Sequence, residues 1–272
     1  MRLNVAISCL IIALFGIAWF IPVYSLIVGS IKTLSEVMGT PVFVPPTKLD
    51  FSTLASVAQQ LAVPLTNTAI VVIPTAFIAT AIGTLAAYAI TRRGGKLSDT
   101  IMLLVAIATY IPYQAILVPL VHLIKFFHLY NTLPGIMLAF LIYYTPMAAL
   151  LMVIFMTAIP SDLIEAALVD GASEFRIFRK VVLPLLGPGI TSTIIFILIM
   201  TWNNFFIPLI LTRGYDKHIT LKIFSYIGQS GTLYNQMFAA ALIGSLPPLI
   251  VFIFLGRYFI RGLLVLGTGA KG

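Results

Sequence analysis

Few residues in this sequence have the types and spacing that catalysis or metal binding requires. His122 and His128 are six positions apart and His218 is far from both, a spacing that is not typical of a metal site. Gly94-Gly95-Lys96 lacks the full phosphate-binding pattern G-x4-G-K-[ST], so this chain is not expected to hydrolyse ATP. Cys9 lies in an apolar segment and is expected to pack there. No nucleophile is paired with a base, and the sequence therefore predicts neither an enzyme nor a metal site.

A second group of residues places amides, hydroxyls and aromatic rings inside apolar stretches. Such groups suit a neutral polar solute, and the near absence of charges beside them argues against an ion site or a proton relay. Structural roles remain the alternative, because amides also join helices within a membrane, and Tyr and Trp also lie at its interfaces. Asn203 and Asn204 rank first, since two adjacent amides are costly to expose to lipid. The candidate residues for a solute path are Asn203, Asn204, Trp202, Gln114, Tyr110, Tyr113, Tyr143, Tyr144 and Thr145.

The composition defines the elements that must position these residues. Of 272 residues, 60% are apolar and 9% are charged, against about 45–50% and about 25% in soluble domains. So few charges cannot cover a globule in water, and we predict an all-α integral membrane protein with six transmembrane helices in one transmembrane domain. Each predicted span approaches the roughly 20 apolar residues that a crossing needs. The spans are residues 5–31, 66–90, 100–124, 133–157, 189–211 and 238–260.

Two local features within the spans predict how the helices pack and bend. Ala79 and Gly83 form a small-xxx-small pair that would allow close helix packing. Prolines such as Pro112 and Pro208 would kink helices or free backbone carbonyls. The first span continues too far to be a signal peptide, so it is interpreted as an uncleaved helix.

The basic residues predict the orientation in the membrane. With both termini cytoplasmic, ten of the sixteen Lys and Arg residues lie inside and six outside, in agreement with the positive-inside rule. The ten are Arg2, Arg92, Arg93, Lys96, Arg176, Arg179, Lys180, Arg257, Arg261 and Lys271. The net charge of +8 is therefore attributed to membrane topology and not to a nucleic-acid partner.

The long inner loop, residues 158–188, is amphipathic and too polar to cross a membrane. Asp162 and Glu165 resemble a capping box at the start of a helix, and Gly171 is placed to end that helix in a left-handed conformation. A second short helix is predicted for residues 173–182. The basic side chains of this second helix are Arg176, Arg179 and Lys180. The residues alone leave two interpretations open, an element bound to anionic lipid or a docking surface for a soluble cytoplasmic partner.

This loop resembles the EAA motif of ABC importer permeases, E-A-A-x3-G-x9-I-x-L-P. Every spacing matches, and the one departure is valine in place of isoleucine at position 181. The matching residues are Glu165-Ala166-Ala167, Gly171, Val181, Leu183 and Pro184. Weaker similarities to the sugar-permease subfamily are Asn67-Thr68, Ala86-Ala87-Tyr88-Ala89 with Arg92, Ile111-Pro112-Tyr113-Gln114 with Pro119-Leu120, Trp202-Asn203-Asn204-Phe205 with Pro208-Leu209, and the glycine-rich tail, residues 262–272. Asn204 stands where relatives often have an acidic residue, so a carboxylate role is not carried over.

The resemblance implies a multi-pass subunit of the cell membrane that works with several partners. These would be a second permease subunit in a heterodimer, two cytoplasmic ATPase subunits that hold ATP and Mg, and an extracytoplasmic solute-binding protein. The loop would carry the coupling helix, which sits in a cleft of the ATPase. Glu165 would pair with a basic ATPase residue, the alternative being that it only caps its helix. The coupling residues implied are Leu163, Ile164, Glu165, Ala166, Ala167, Leu168, Asp170, Gly171, Val181, Leu183 and Pro184.

A permease subunit of an ATP-driven sugar importer is therefore the leading hypothesis. The same machinery for a polyamine or a phosphate ester is an alternative, although a cationic solute would favour acidic residues that the spans lack. An ion-coupled carrier, or an assembly factor with a surface-bound loop, is the alternative from another class, and it would need no ATPase partner.

Overall fold

The computed structural model describes residues 2–228 and 231–269, and the side chains of residues 7–227 and 233–256. The last three residues of the glycine-rich tail therefore lie outside the described residues. The described chain is helical apart from one pair of antiparallel two-residue strands, which confirms the predicted class. The helices are α1 (Arg2–Ser30), α2 (Leu34–Gly39), α3 (Phe51–Arg93), α4 (Gly95–Tyr110), α5 (Tyr113–Phe126), α6 (Leu133–Thr157), α7 (Ser161–Val169), α8 (Glu174–Ile177), a π-helix (Phe178–Val182), α9 (Leu183–Leu185), α10 (Gly187–Trp202), α11 (Phe206–Leu211), α12 (Ile219–Ser225) and α13 (Tyr234–Gly269), and the strands are β1 (Ile227–Gly228) and β2 (Gly231–Thr232).

Among the described residues, four helical segments are long and apolar enough to cross a membrane. They are Ile7–Ser30 of α1, α3, α6 and Tyr234–Gly256 of α13. Two bent pairs would raise the number to six if each is one span: α4 with α5, bent by 98°, and Glu174–Leu185 with α10, bent by 71°. Length and composition therefore give four to six crossings, and the predicted number of six stays a prediction.

The third and fifth predicted spans are each divided between two helices. Residues 100–124 change direction at Ile111, whose extended backbone (ψ 119°) precedes Pro112. A residue before proline is pushed out of the α region, which accounts for the break. Residues 189–211 are interrupted after Trp202, where Asn203 caps α10 and α11 begins three residues later.

One compact unit consists of Met1–Thr66 and His218–Pro247. Its segment between α1 and α3 is folded around Lys32, which is 1% exposed. The Lys32 ammonium donates to the Thr40 hydroxyl at 2.9 Å and to the Pro41 carbonyl at 3.0 Å. A buried ammonium is tolerated only with such acceptors, so Lys32 fixes the path of this segment toward the start of α3.

Asp50 caps the first turn of α3. Its Oδ1 accepts the backbone N–H groups of Ser52 at 3.0 Å and Thr53 at 3.3 Å. The Ser52 hydroxyl, followed by the Thr53 hydroxyl, lowers the pKa of this carboxyl from 3.8 to about 2. A carboxylate with a depressed pKa contributes stability above its unfolded pKa, and this stability is lost as the pH falls through the folded value.

We expect Asp50→Ala to reduce thermal stability at neutral pH by about 1 kcal/mol, the usual contribution of a helix N-cap. The difference from the wild type should shrink as the pH falls from 3.8 toward about 2. Thermal unfolding in detergent at neutral pH and near pH 2 measures it, with Asp50→Asn as a control that keeps an acceptor. A difference that is the same at low and neutral pH would contradict the role of the ionised carboxylate.

The second unit consists of Asn67–Lys217 and Pro248–Gly272. Helix α6 is its centre, packed by α4, α5, α10 and α11. Gly83 of α3 also approaches α6, because a Cβ atom at this position would lie 2.7 Å from the carbonyl carbon of Ala148 and from the nitrogen of Ala149. The close helix packing predicted for this pair of small residues is therefore confirmed at Gly83.

Candidate functional site

The inner loop forms a helix, a tight turn and a second helix, as its sequence predicts. Helix α7 follows Pro160, and Gly171 ends it with φ 72°. The N–H of Ala172 donates to the Ala167 carbonyl and the N–H of Gly171 to the Leu168 carbonyl, each at 3.0 Å. This pair of hydrogen bonds defines a Schellman cap, which satisfies the last carbonyls of a helix and needs a left-handed residue. The prediction for Gly171 is confirmed.

The predicted capping box at the start of α7 is wrong. The helix begins at Ser161, so Asp162 lies inside its first turn, and Pro160 at the cap position makes no side-chain hydrogen bond to the helix. Asp162 still faces the positive end of the helix dipole. The Glu165 side chain is exposed.

The apolar residues of α7 divide between two directions. Ile164 and Ala167 pack against the apolar core below the loop, whereas Leu163 and Leu168 are 46% and 43% exposed. These four residues, all expected to take part in coupling, therefore do not form one exposed face, because two of them face the core. Val169 and Phe175, which the motif does not include, are 88% and 71% exposed. Val169 is the last residue of α7, and Phe175 is the second residue of α8.

The core below the loop is built from three helices and the segment after α8. Its buried residues are Ala87, Met152, Val153, Phe155, Met156, Ile177, Val182 and Leu186. Of the remaining motif residues, Val181 packs against this core, Leu183 lines an apolar cavity of about 390 Å³, and Pro184 is exposed. Ala166 and Asp170 are exposed on α7 and its cap.

A polar cluster also holds the loop against α3. The carboxylate of Glu174, the first residue of α8, accepts from Arg92 Nη2 at 2.7 Å and Nε at 3.3 Å, and from the Tyr88 hydroxyl at 2.6 Å. Arg92, followed by Tyr88, lowers the pKa of Glu174, so this carboxylate is charged at neutral pH. Glu174 is not among the residues that the sequence predicts for a site. Its only sequence signal is local: it follows Ser173 at the start of a helix.

The structure brings together only part of the predicted solute path. The Tyr113 ring lies 5.6 Å from the Tyr143 ring, edge to face, and 6.3 Å from Phe206. Tyr144 is buried, and its hydroxyl accepts from the Asn204 amide at 3.2 Å. Trp202 is buried and Thr145 is half-buried. Tyr110 is 84% exposed and Gln114 is also exposed, outside this cluster.

The two adjacent amides have different environments. Asn204 is 6% exposed, and its carbonyl oxygen accepts the backbone N–H of Ile207 at 3.1 Å, which starts α11. Asn203 is exposed, and its amide donates to the Ile199 carbonyl at 2.9 Å. Asn204 thus has a structural position at the break between α10 and α11, while Asn203 presents its amide at the surface.

We expect Asn204→Ala to destabilise the protein by about 1–3 kcal/mol, because it leaves the Tyr144 hydroxyl and the Ile207 N–H without this partner in a buried site. Thermal unfolding in detergent measures the effect. Asn203→Ala is the matched control and should unfold close to the wild-type temperature, since its side chain is exposed. Equal losses for both variants would contradict the distinction.

Together the helices and the packed loop define a helical integral membrane protein. The sequence matches the family described as "Binding-protein-dependent transport system inner membrane component" over residues 79–265. The chain belongs to this family, and it is a transport subunit and not an enzyme.

Individual relatives agree with this assignment. The "Glucose import system permease protein GlcU" of Saccharolobus solfataricus is 45% identical, over 99% of this chain and 97% of the relative. The "Probable starch degradation products transport system permease protein AmyC" of Thermoanaerobacterium thermosulfurigenes is 29% identical, over 89% and 88%. A bacterial ABC transporter "involved in the import of the acidic polysaccharide alginate" has a chain with a TM-score of 0.77 at 20% identity, covering 95% of this chain and 97% of that one. This last likeness concerns the fold alone.

Proposed function

We propose that this chain is a permease subunit of an ATP-driven importer and moves a sugar delivered by an extracytoplasmic binding protein. The observation that carries the proposal is the surface of the inner loop. Leu163, Leu168, Val169 and Phe175 are exposed apolar side chains around the Schellman turn. They stand on a tightly packed base, which is the arrangement that a cytoplasmic partner requires in order to move the loop as a body.

The sugar assignment rests on the relatives and on the polar residues. Two relatives are named for glucose and for starch degradation products. Aromatic rings and amides, as at Tyr113, Tyr143 and Asn203, suit a neutral solute with many hydroxyl groups. A polyamine or a phosphate ester is the competing solute class.

The assembly and topology extend the proposal. Six crossings with both termini in the cytoplasm would place ten basic residues inside, together with the loop. The partners would be a second permease, which completes the path as a heterodimer, and two ATPase subunits, which supply ATP and Mg. This chain would be one transmembrane domain without a cofactor of its own.

The mechanism follows from the loop. When the ATPase subunits close on ATP, the docked α7 moves with them, with Glu165 paired to a basic residue of the partner. The packed core transmits this displacement into α3, α6 and α10, because packed helices shift between discrete arrangements and do not deform continuously. The solute site then changes its access from one side of the membrane to the other.

Reconstitution tests the proposal. The chain, its second permease, the ATPase and the binding protein are placed in liposomes, and uptake of labelled glucose is measured with ATP and with a non-hydrolysable analogue. We expect uptake only with hydrolysable ATP and binding protein. Uptake driven by an ion gradient without ATPase would contradict it, and preferential uptake of putrescine or glycerol phosphate would select the competing solute class.

Asn203 is the residue of the proposed path whose loss should affect solute handling without affecting the fold. We expect Asn203→Ala to raise the KM for glucose about two- to tenfold, the equivalent of one lost hydrogen bond. Rates of glucose uptake over a range of concentrations measure it, with ATP hydrolysis and thermal stability as controls. An unchanged KM would remove Asn203 from the path.

A further inference from the structure

The cluster of Tyr88, Arg92 and Glu174 links the inner loop to a helix that is distant in sequence. We call these three residues the clasp. Arg92 and Glu174 are 82 positions apart. The loop is joined through the chain only to α6 and α10. The clasp therefore adds a third, non-covalent connection, from the start of α8 to the last turns of α3.

The geometry of the clasp is specific. Two nitrogens of Arg92 donate to the two oxygens of Glu174, and the Tyr88 hydroxyl donates to Oε2 of the same carboxylate. Paired N–H groups on one carboxylate fix orientation as well as distance. The two side chains are 25% and 58% exposed, so this contact adds little to global stability. The contact matters because it joins two segments, the end of α3 and the start of α8, that are distant in the sequence.

Packing under the clasp supports the same connection. The Tyr88 ring lies 4.9 Å from the Phe178 ring. Ala87 is fully buried in the core that also receives Ile164 and Ala167 of α7. The end of α3, α7 and the segment through α8 thus share one packed core, and the ion pair joins the end of α3 to α8.

Arg92 lies near two carboxylates, those of Glu165 and Glu174. Arg92 and Glu165 line the same polar cavity of about 330 Å³, yet the ion pair recorded among the described residues is with Glu174. Glu165 is thereby left on the exposed side, where the proposed function places the ATPase. The clasp separates a carboxylate that binds within the chain from one that faces the partner.

We propose that the clasp makes the inner loop and the cytoplasmic end of α3 move as one body, so that Arg92, Tyr88 and Glu174 are positioning residues for coupling. This inference rests on the proposed function. When the ATPase displaces α7, the ion pair and the ring contact carry α3 with it. Without the clasp the loop moves against α3, and ATP hydrolysis continues with less solute moved per ATP.

Glu174→Gln tests the ion pair in the reconstituted transporter, since it keeps the shape and removes the charge. We expect glucose moved per ATP hydrolysed to fall about three- to tenfold, as for loss of a partly exposed charged hydrogen bond. The charge-exchanged pair Arg92→Glu with Glu174→Arg should recover most of this ratio, because it restores the attraction. Arg93→Gln is the matched control: Arg93 is exposed, and its loss should leave the ratio unchanged.

A cross-link tests the rigid-body motion directly. In a Cys9→Ala background, Arg92→Cys and Glu174→Cys are joined by a short, reducible bifunctional thiol reagent. We expect the unlinked pair to move less glucose per ATP than the wild type, the linked pair to regain transport per ATP, and reduction of the linker to reverse the gain. A linked pair that is blocked would show that the loop must move against α3, which overturns the inference.

The other outcomes are also decisive. If Glu174→Gln releases the ATPase from the complex, Glu174 belongs to the docking surface and the clasp is overturned. If the wild type transports and Glu174→Gln moves as much glucose per ATP, the clasp alone fails. If the wild type shows no ATP-driven uptake, the proposed function fails and the coupling role of the clasp fails with it.

Discussion

Gly171→Val is expected to reduce ATP-driven uptake at least about tenfold while the subunit still inserts in the membrane. Gly171 has φ 72°, and a non-glycine residue held in this region costs about 1–3 kcal/mol, more for a β-branched one. Such a cost shifts the population of the Schellman turn roughly five- to 150-fold. The turn orients Phe175 and the rest of α8 relative to α7, so its loss displaces the surface that the proposed partner would contact.

The test separates backbone strain from steric bulk. No atom lies within 4 Å of a Cβ built at Gly171, so valine meets no clash and acts only through the backbone. Gly171→Asn should retain more uptake, because asparagine tolerates the left-handed region. Gly187→Ala is the control, since Gly187 also has no neighbour within 4 Å of a Cβ and lacks the positive φ. Full uptake by Gly171→Val would contradict the role of the turn.

Gly83→Val is expected to give the largest loss of stability of the variants considered. A Cβ atom at position 83 would lie 2.7 Å from backbone atoms of both Ala148 and Ala149. Backbone atoms of a helix cannot turn aside, so α3 and α6 must separate. Overpacking of this kind costs about 1–3 kcal/mol for a single added methyl group and more for a branched side chain.

Thermal unfolding and the yield of monodisperse protein in detergent measure this effect. Gly83→Ala should be intermediate between the wild type and Gly83→Val. Gly16→Ala in α1 is the control, because no atom lies within 4 Å of its Cβ position, and it should be neutral or slightly stabilising through helix propensity. If Gly83→Val and Gly16→Ala unfold at the same temperature, the helices are not in close contact at position 83.

The parts of the site that were predicted from the sequence depend on neighbouring residues. The helix–turn–helix of the loop follows from Pro160 before α7, an apolar pattern along it and Gly171 after it, all within about three turns. The left-handed cap needs only a residue without Cβ at the right position. The small residues at positions 79 and 83 likewise predicted a close helix contact, but they did not predict which helix would make it.

Sequence patterns over a few residues did not predict which groups a side chain contacts in the folded protein. Asp162 satisfied the pattern of a capping box, but α7 begins at Ser161, the residue before it, so Asp162 cannot be the cap. Asn203 and Asn204 looked equivalent until Tyr144 and Ile207 gave Asn204 a buried position. The core beneath the loop decided which apolar residues of α7 face inward and which face outward.

The sequence by itself determined a helical membrane protein, the helix–turn–helix of the inner loop and the glycine that shapes its turn. The membrane class follows from composition, because an apolar chain with few charges must fold in lipid. The turn follows from backbone sterics, which act within a few residues. The tertiary structure alone decided that Arg92 meets Glu174 and not Glu165, and that α3 rests on α6 at Gly83. These contacts join residues 82 and 65 positions apart, and their energy depends on how the helices pack, which no local pattern encodes.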